Sequence, residues 1–237
     1  MSSEHVVIIG GTSGIGLATA AQLLASGMRV TITGRSKQRL EEARKSLGAA
    51  KAVAMDAAVT SELGKTFSSI GAFDHLVLAF GSTKGVGPFA SVNLAEVRQS
   101  FEEKVYPQFA CAQAALPLLR RDGSITFISA VSAHAAMPGT AGICAANAAV
   151  ASLVPVLAAE LRPLRVNSVS PGVIDTPWWD FLPAEQRAAV FAEYAGKTPV
   201  GRVGKPEDVA QAICFLITNG FMSGHNILCD GGLRWAA

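Results

Sequence analysis

The sequence predicts one doubly wound α/β domain, a mostly parallel sheet with helices on both faces. Three observations predict it. Short β-rich runs alternate with stretches of helical length, a glycine-rich turn joins the first run to the first helical stretch, and no linker-like segment divides the 237 residues. Open α/β sheets commonly reach this length as single units. Half of the residues are hydrophobic and only 16% are charged, as suits strands covered on both faces.

The strand candidates are residues 6–9, 29–33, 52–55, 76–79, 124–128, 166–170 and 227–229. The gaps between them are long enough for crossover helices, so neighbouring strands are expected to run parallel. Phe101, Val105, Phe109, Ala112 and Leu116 recur every three or four residues and mark one apolar face of a long helix. Small residues (Ala145, Ala146, Ala148, Ala149 and Ala151) fill another helix over 142–159 and would let a second helix approach closely. Pro206 opens a helix whose first turn carries Glu207 and Asp208, where acids meet the positive end of the helix dipole. Residues 177–199, with Trp178, Trp179, Phe181 and Tyr194, interrupt the alternation and read as a substrate lid within the single domain 1–237.

Composition excludes several classes of partner. The formal net charge of +2 comes from 20 basic and 18 acidic residues spread along the chain without a Lys/Arg run, so nucleic acid is not an expected partner. Cys111, Cys144, Cys214 and Cys229 lie far apart, with no Cys-x-x-Cys pair and no Cys/His cluster. That spacing suits buried thiols in a reducing compartment, with neither a metal site nor a disulfide framework. The polar start Met1-Ser2-Ser3-Glu4-His5 leads into an apolar run too short for a signal peptide or a membrane span, so a cytoplasmic location without a membrane partner is expected.

The strand at 6–9 runs into Gly10-Gly11-Thr12-Ser13-Gly14-Ile15-Gly16 and then into a helical pattern from Leu17 to Ala25. Glycines there allow backbone angles and a close approach that side chains would block, and the amides at the helix start attract a pyrophosphate. A tight turn without a ligand is the plainer alternative. Its place after the first strand of a doubly wound chain favours a Rossmann-type nucleotide site. The second strand ends Thr33-Gly34-Arg35-Ser36, with no acid for a ribose 2′-hydroxyl and with a guanidinium suited to a 2′-phosphate. This favours NADP(H) over NAD(H), although Arg35 also reads as a solvated charge ahead of a helix.

The Gly-x-x-x-Gly-x-Gly spacing resembles that of the short-chain dehydrogenase/reductases, and later segments fall in the family's order. Gly81 stands where that family's Asn-Asn-Ala-Gly turn ends. Val166-Asn167 and Pro171-Gly172-Val173-Ile174-Asp175-Thr176 resemble the segment beside the nicotinamide. Gly201-Arg202, Pro206-Glu207-Asp208-Val209-Ala210 and Asp230-Gly231-Gly232 resemble the C-terminal pieces. The resemblance implies cofactor contacts at Gly10, Thr12, Ser13, Gly14, Ile15, Gly16, Arg35, Gly81, Pro171, Gly172 and Ile174. It also implies an adenine contact at Asp56 and a carboxamide contact at Thr176, both readable instead as local caps. A homo-dimer or homo-tetramer and a small-molecule substrate are implied as well.

The resemblance fails at the catalytic positions. A family member uses a tyrosine as acid or base, a lysine four residues on that lowers its pKa, a serine for the substrate oxygen and an asparagine in a proton relay. Laying that pattern on this chain puts Ala130 at the serine, Ile143 at the tyrosine, Asn147 at the lysine and Lys104 at the asparagine. The chain's two tyrosines, Tyr106 and Tyr194, begin no Tyr-x-x-x-Lys. Losing positioned acid catalysis alone costs about 10²–10⁴ in rate. The replacement candidates are Lys104, Ser129, Ser132, His134 and Asn147. If its helix faces the cleft, Lys104 shares a stripe with Ser100 and Gln108, and burial would lower its pKa; otherwise it is a surface lysine beside Glu103. His134 follows the fifth strand, and Ser129 and Ser132 are placed to hold a carbonyl oxygen or to cap a turn.

Two functions follow. One is an NADP(H)-dependent oxidoreductase acting on a carbonyl, an alcohol or an activated double bond with a substituted proton donor. The other is a catalytically silent nucleotide-binding or partner subunit of the same fold. Non-redox lyase or isomerase chemistry stays open as a third class, because fold does not fix function.

Overall fold

The structure is a computed structural model that describes residues 3–236. All seven expected strands form: β1 (His5–Ile9), β2 (Arg29–Gly34), β3 (Lys51–Ala54), β4 (Phe73–Leu78), β5 (Leu119–Ile128), β6 (Arg165–Pro171) and β7 (Asn226–Cys229). They make one parallel sheet in the order β3-β2-β1-β4-β5-β6-β7. Alternate side chains feed two cores. Val6 and Ile8 pack with Leu23 and Leu40 on one face, while Val7 and Ile9 pack with Phe67 and Val150 on the other.

Helices α1 (Gly14–Ala25), α2 (Lys37–Leu47), α3 (Leu63–Ile70), α4 (Leu94–Ser100), α5 (Tyr106–Ala115), α6 (Ala141–Glu160), α7 (Ala184–Lys197) and α8 (Pro206–Thr218) complete the layers. Phe67, Phe73 and Phe127 are among the largest fully buried side chains, and truncating one to alanine would cost about 3–5 kcal/mol. Arg165 secures the end of α8: its guanidinium donates to the Leu216 and Ile217 carbonyls at 2.6 and 2.8 Å, satisfying acceptors at a helix C-terminus.

Two elements differ from expectation. β5 begins at Leu119, ahead of its apolar run, and its pairing with β4 shifts between Phe73 and His75. Gly123 permits that shift, since a Cβ there would lie 1.9 Å from the Asp74 carbonyl oxygen. The long helix is divided by a π-helical turn over Phe101–Val105 between α4 and α5. Pro107 lacks an N–H and so leaves the Glu103 carbonyl without its usual donor, which lets the turn widen. The wider turn moves the apolar phase: Phe109 is exposed, while Ser100, Lys104, Gln108, Cys111 and Ala115 face inward.

α6 is long and apolar enough by composition to cross a membrane, with a mean hydropathy of 1.9. Here it is a helix of the domain, with Gly142, Ala146, Asn147, Val150 and Val154 buried.

Candidate active site

The crevice opens beyond the carboxyl ends of β1 and β4, where the strand order reverses direction, the place where open α/β sheets bind ligands. The glycine turn is built for close approach. A Cβ on Gly10 would lie 2.5 Å from the Ala79 carbonyl oxygen, and one on Gly16 would lie 2.2 Å from that of Gly10. Gly10 and Gly14 also take positive φ, at 84° and 50°. α1 starts directly after Ser13, and no side chain caps its first amides, so they stay available to an anion. Thr12 packs on Gly34, and Thr176 reaches the turn at Gly14. Gly172 lies against Asp230, while Ile174 is held by a bridge to Gly204. These features fit a dinucleotide diphosphate, because the positions a side chain would fill are the ones left as glycine.

Arg35 and Asp56 share a groove at the ends of β2 and β3 with Met55, Glu62 and Thr66. Ser36 caps α2 by accepting from the Arg39 amide at 3.3 Å, which leaves Arg35 just outside the helix. Asp56 accepts from the Ala58 amide at 3.0 Å, so it also makes a local turn. Among the described residues, Arg35 forms no ion pair.

The catalytic candidates divide into two groups. Lys104 is only 6% exposed; its Nζ donates to the Ser129 carbonyl at 3.1 Å and to Asn147 Oδ1. Asn147 Nδ2 donates to Ser132 Oγ at 2.9 Å, and Ser129 Oγ donates to the Asn147 carbonyl at 2.8 Å. Four of the five candidates therefore form one buried network. Desolvation lowers the Lys104 pKa to about 7, and no carboxylate among the described residues offsets it. Gly81 flanks the amine: a Cβ there would sit 3.5 Å from Nζ.

His134 sits apart. The short 3₁₀ turn Val131–Ala133 carries the chain toward β7, and the His134 ring bonds the Asn226 side chain. It lines an outer groove with Ala148, Ser152 and Pro155, where partial desolvation and then Arg234 lower its pKa. His134 is thereby held apart from the Lys104–Asn147 network.

Contacts that the sequence did not single out frame the site. Gln108 Nε2 donates to the Phe80 and Ile128 carbonyls at 3.0 and 3.1 Å, tying the ends of β4 and β5. The Ile143 amide donates to the Gly85 carbonyl at 3.1 Å, so the loop after β4 covers the start of α6. Glu103 Oε2 accepts from Ser82 Oγ at 2.6 Å, and the Ser82 carbonyl accepts from Trp178 Nε1 at 3.1 Å. The Trp178 contact ties the start of the 177–199 segment to the loop beside Lys104. Trp178, Trp179, Phe181 and Phe191 stack edge to face or in parallel along that segment. The one sequence signal for this chain of contacts is the adjacency of Glu103 to Lys104.

A seven-stranded parallel sheet with an uncapped, glycine-lined helix start at its switch point defines a dinucleotide-binding α/β protein. The chain belongs to the short-chain dehydrogenase/reductase family. The family model described as enoyl-(acyl carrier protein) reductase matches residues 10–234. The 2-(S)-hydroxypropyl-CoM dehydrogenase 3 of Xanthobacter autotrophicus is 30% identical, over 98% of this chain and 97% of its own length. A small-chain dehydrogenase solved in complex with NADPH superposes with a TM-score of 0.86 at 30% identity, covering 99% of this chain and 100% of that one. A short-chain oxidoreductase of Pseudomonas aeruginosa PAO1, described as containing an atypical catalytic center, matches with a TM-score of 0.88 at 28% identity, covering 99% of this chain and 98% of its own.

Proposed function

We propose that this chain is an NADP(H)-dependent oxidoreductase of a small carbonyl, alcohol or activated double bond, in which Lys104 replaces the family's tyrosine as proton donor. One observation carries the reading: the Lys104 amine is buried beside Gly81 on two neutral acceptors. Gly10, Thr12, Ser13, Gly14, Ile15 and Gly16 would hold the pyrophosphate, Arg35 the 2′-phosphate and Asp56 the adenine. Gly81, Pro171, Gly172, Ile174 and Thr176 would line the nicotinamide end. When bound, NADPH supplies a hydride.

The chain's own residues supply the rest. A lysine with a pKa of about 7 is matched to proton transfer near neutrality, and its ammonium form stabilises a developing alkoxide. Asn147 and the Ser129 carbonyl fix the direction of Nζ, and Ser132 fixes Asn147. Residues 177–199 act as the lid, with Trp178 and Phe181 excluding water from the substrate. The partly exposed apolar side of α6, where Val156 is 59% exposed, suits a cytoplasmic homo-dimer or homo-tetramer.

The comparison with NADPH bound to a relative supports the cofactor reading. A catalytically silent subunit is the second reading, favoured by Ile143, which has no proton to give. Calorimetric titration with NADPH and NADH, followed by NADPH consumption against a panel of small carbonyls, separates the two. Tight NADPH binding and stoichiometric consumption, lost in Arg35→Ala, are expected. Binding without consumption would favour the silent subunit, and failure to bind either nucleotide would sink the enzyme reading.

A further inference from the structure

The surroundings of Lys104 also suit a nucleophile. Nζ donates two hydrogen bonds, to the Ser129 carbonyl and to Asn147 Oδ1, so its neutral form keeps a lone pair with both N–H groups already directed. Glu103, the nearest acid in the sequence, is committed elsewhere: its two oxygens accept from Ser82 Oγ and Gln99 Nε2 at 2.6 and 2.7 Å. The missing side chain of Gly81 leaves space next to the amine. The following residue, Ser82, carries the Trp178 contact, and Ile143 gives the start of α6 an aliphatic side chain. A desolvated amine held by two neutral acceptors beside Gly81, with no carboxylate among the described residues to neutralise it, is the environment in which a lysine becomes nucleophilic near neutrality.

We infer that Lys104 forms a Schiff base with a small apolar aldehyde or ketone that enters beside Gly81 and Trp178. The Nζ lone pair attacks the carbonyl carbon and a C–N bond forms. The carbonyl oxygen takes one proton from the attacking nitrogen and a second from solvent, and leaves as water. The product is a protonated imine, with no change in oxidation state. The inference shares Lys104 and a carbonyl substrate with the function proposed above, but it needs no nucleotide. It requires the neutral amine, whereas proton donation requires the charged one.

The test uses the unaltered chain without nucleotide. Propanal is added with sodium borohydride, which reduces an imine to a stable secondary amine, and the alkylated lysines are mapped by peptide mass spectrometry. In parallel, 2,4-pentanedione is added, whose enaminone with a neutral lysine absorbs in the near ultraviolet. The expected result is one adduct per chain at Lys104, formed at neutral pH at least about tenfold faster than at exposed Lys37 and Lys65, with a rate that rises through pH 7. Lys104→Met and Lys104→Arg should both lose the adduct. Alkylation spread over surface lysines, or an unlabelled Lys104 in the folded chain, would overturn the inference. NADPH consumption that depends on Lys104 in a chain giving no adduct would also overturn it while leaving the proton-donor reading standing. An adduct in a chain that consumes no NADPH would support it while removing that reading.

Discussion

Lys104 donates to the side-chain oxygen of Asn147, joining the π-helical turn before α5 to α6. In the family pattern an asparagine stands on the first of these helices and a lysine on the second. Here the two residue types have exchanged helices and still meet. The exchange keeps an amine and an amide together while moving the charge from α6 to the π-helical turn before α5.

If the pair is a unit, its energetics are coupled. Lys104→Asn alone sets two amides together, and Asn147→Lys alone sets two amines together in a desolvated site. The double exchange restores one of each. We expect it to be more stable than the sum of the two single changes by about 1–3 kcal/mol in urea denaturation. Additive behaviour would show that the two side chains do not depend on each other.

Lys104 also sets a pH dependence of stability. Its pKa is about 7 when folded and returns to the ordinary range, about 10, when unfolded. Between those values the unfolded chain binds the extra proton, so this lysine makes stability rise with pH from about 7 to about 10; below 7 its burial penalty is fully present. Lys104→Met should flatten that rise in melting temperature. Reduction that uses the ammonium as acid should slow above pH 7. A rise in melting temperature that persists in Lys104→Met would assign it to another group.

Arg35 tests the choice of nucleotide. Arg35→Ala should weaken NADPH by about 10–100-fold, the loss of one or two charge-assisted hydrogen bonds, and leave NADH nearly unchanged. Equal losses for both nucleotides in calorimetric titration would show that Arg35 does not read the 2′-phosphate.

The glycine turn makes a contrasting pair. Gly16→Ala would drive a Cβ into the Gly10 carbonyl, so it should abolish nucleotide binding and lower the melting temperature. Gly64→Ala meets nothing within 4 Å on helix α3 and should stabilise by about 0.5–1 kcal/mol. A Gly16→Ala protein that binds NADPH normally would contradict the close-approach argument.

The strands were legible because buried parallel strands leave aliphatic runs, as at Val6 to Ile9, and the glycine turn because backbone crowding leaves its mark in residue type. The polar start of β5 was not, since Arg120, Arg121 and Asp122 carry no apolar signal and the shift rests on Gly123. The helix phase failed at Phe109 because one π-helical turn adds a residue that a 3.6-residue period does not count. Lys104 was placed on the correct stripe from Ser100 and Gln108, but its partners are 25 and 43 residues away, beyond any local pattern. His134 lies only two residues beyond Ser132 in sequence, yet a three-residue turn points its ring at Asn226 and away from the Lys104–Asn147 network, which no local pattern signals.

If Lys104 takes the part of the missing tyrosine, turnover depends on its amine. Pre-steady-state consumption of NADPH with a small carbonyl, in the native chain and in Lys104→Met matched for nucleotide binding by calorimetry, tests it most directly. The native chain should consume NADPH stoichiometrically, and Lys104→Met should be slower by about 10²-fold or more with NADPH affinity retained. Equal rates in the two proteins would contradict it.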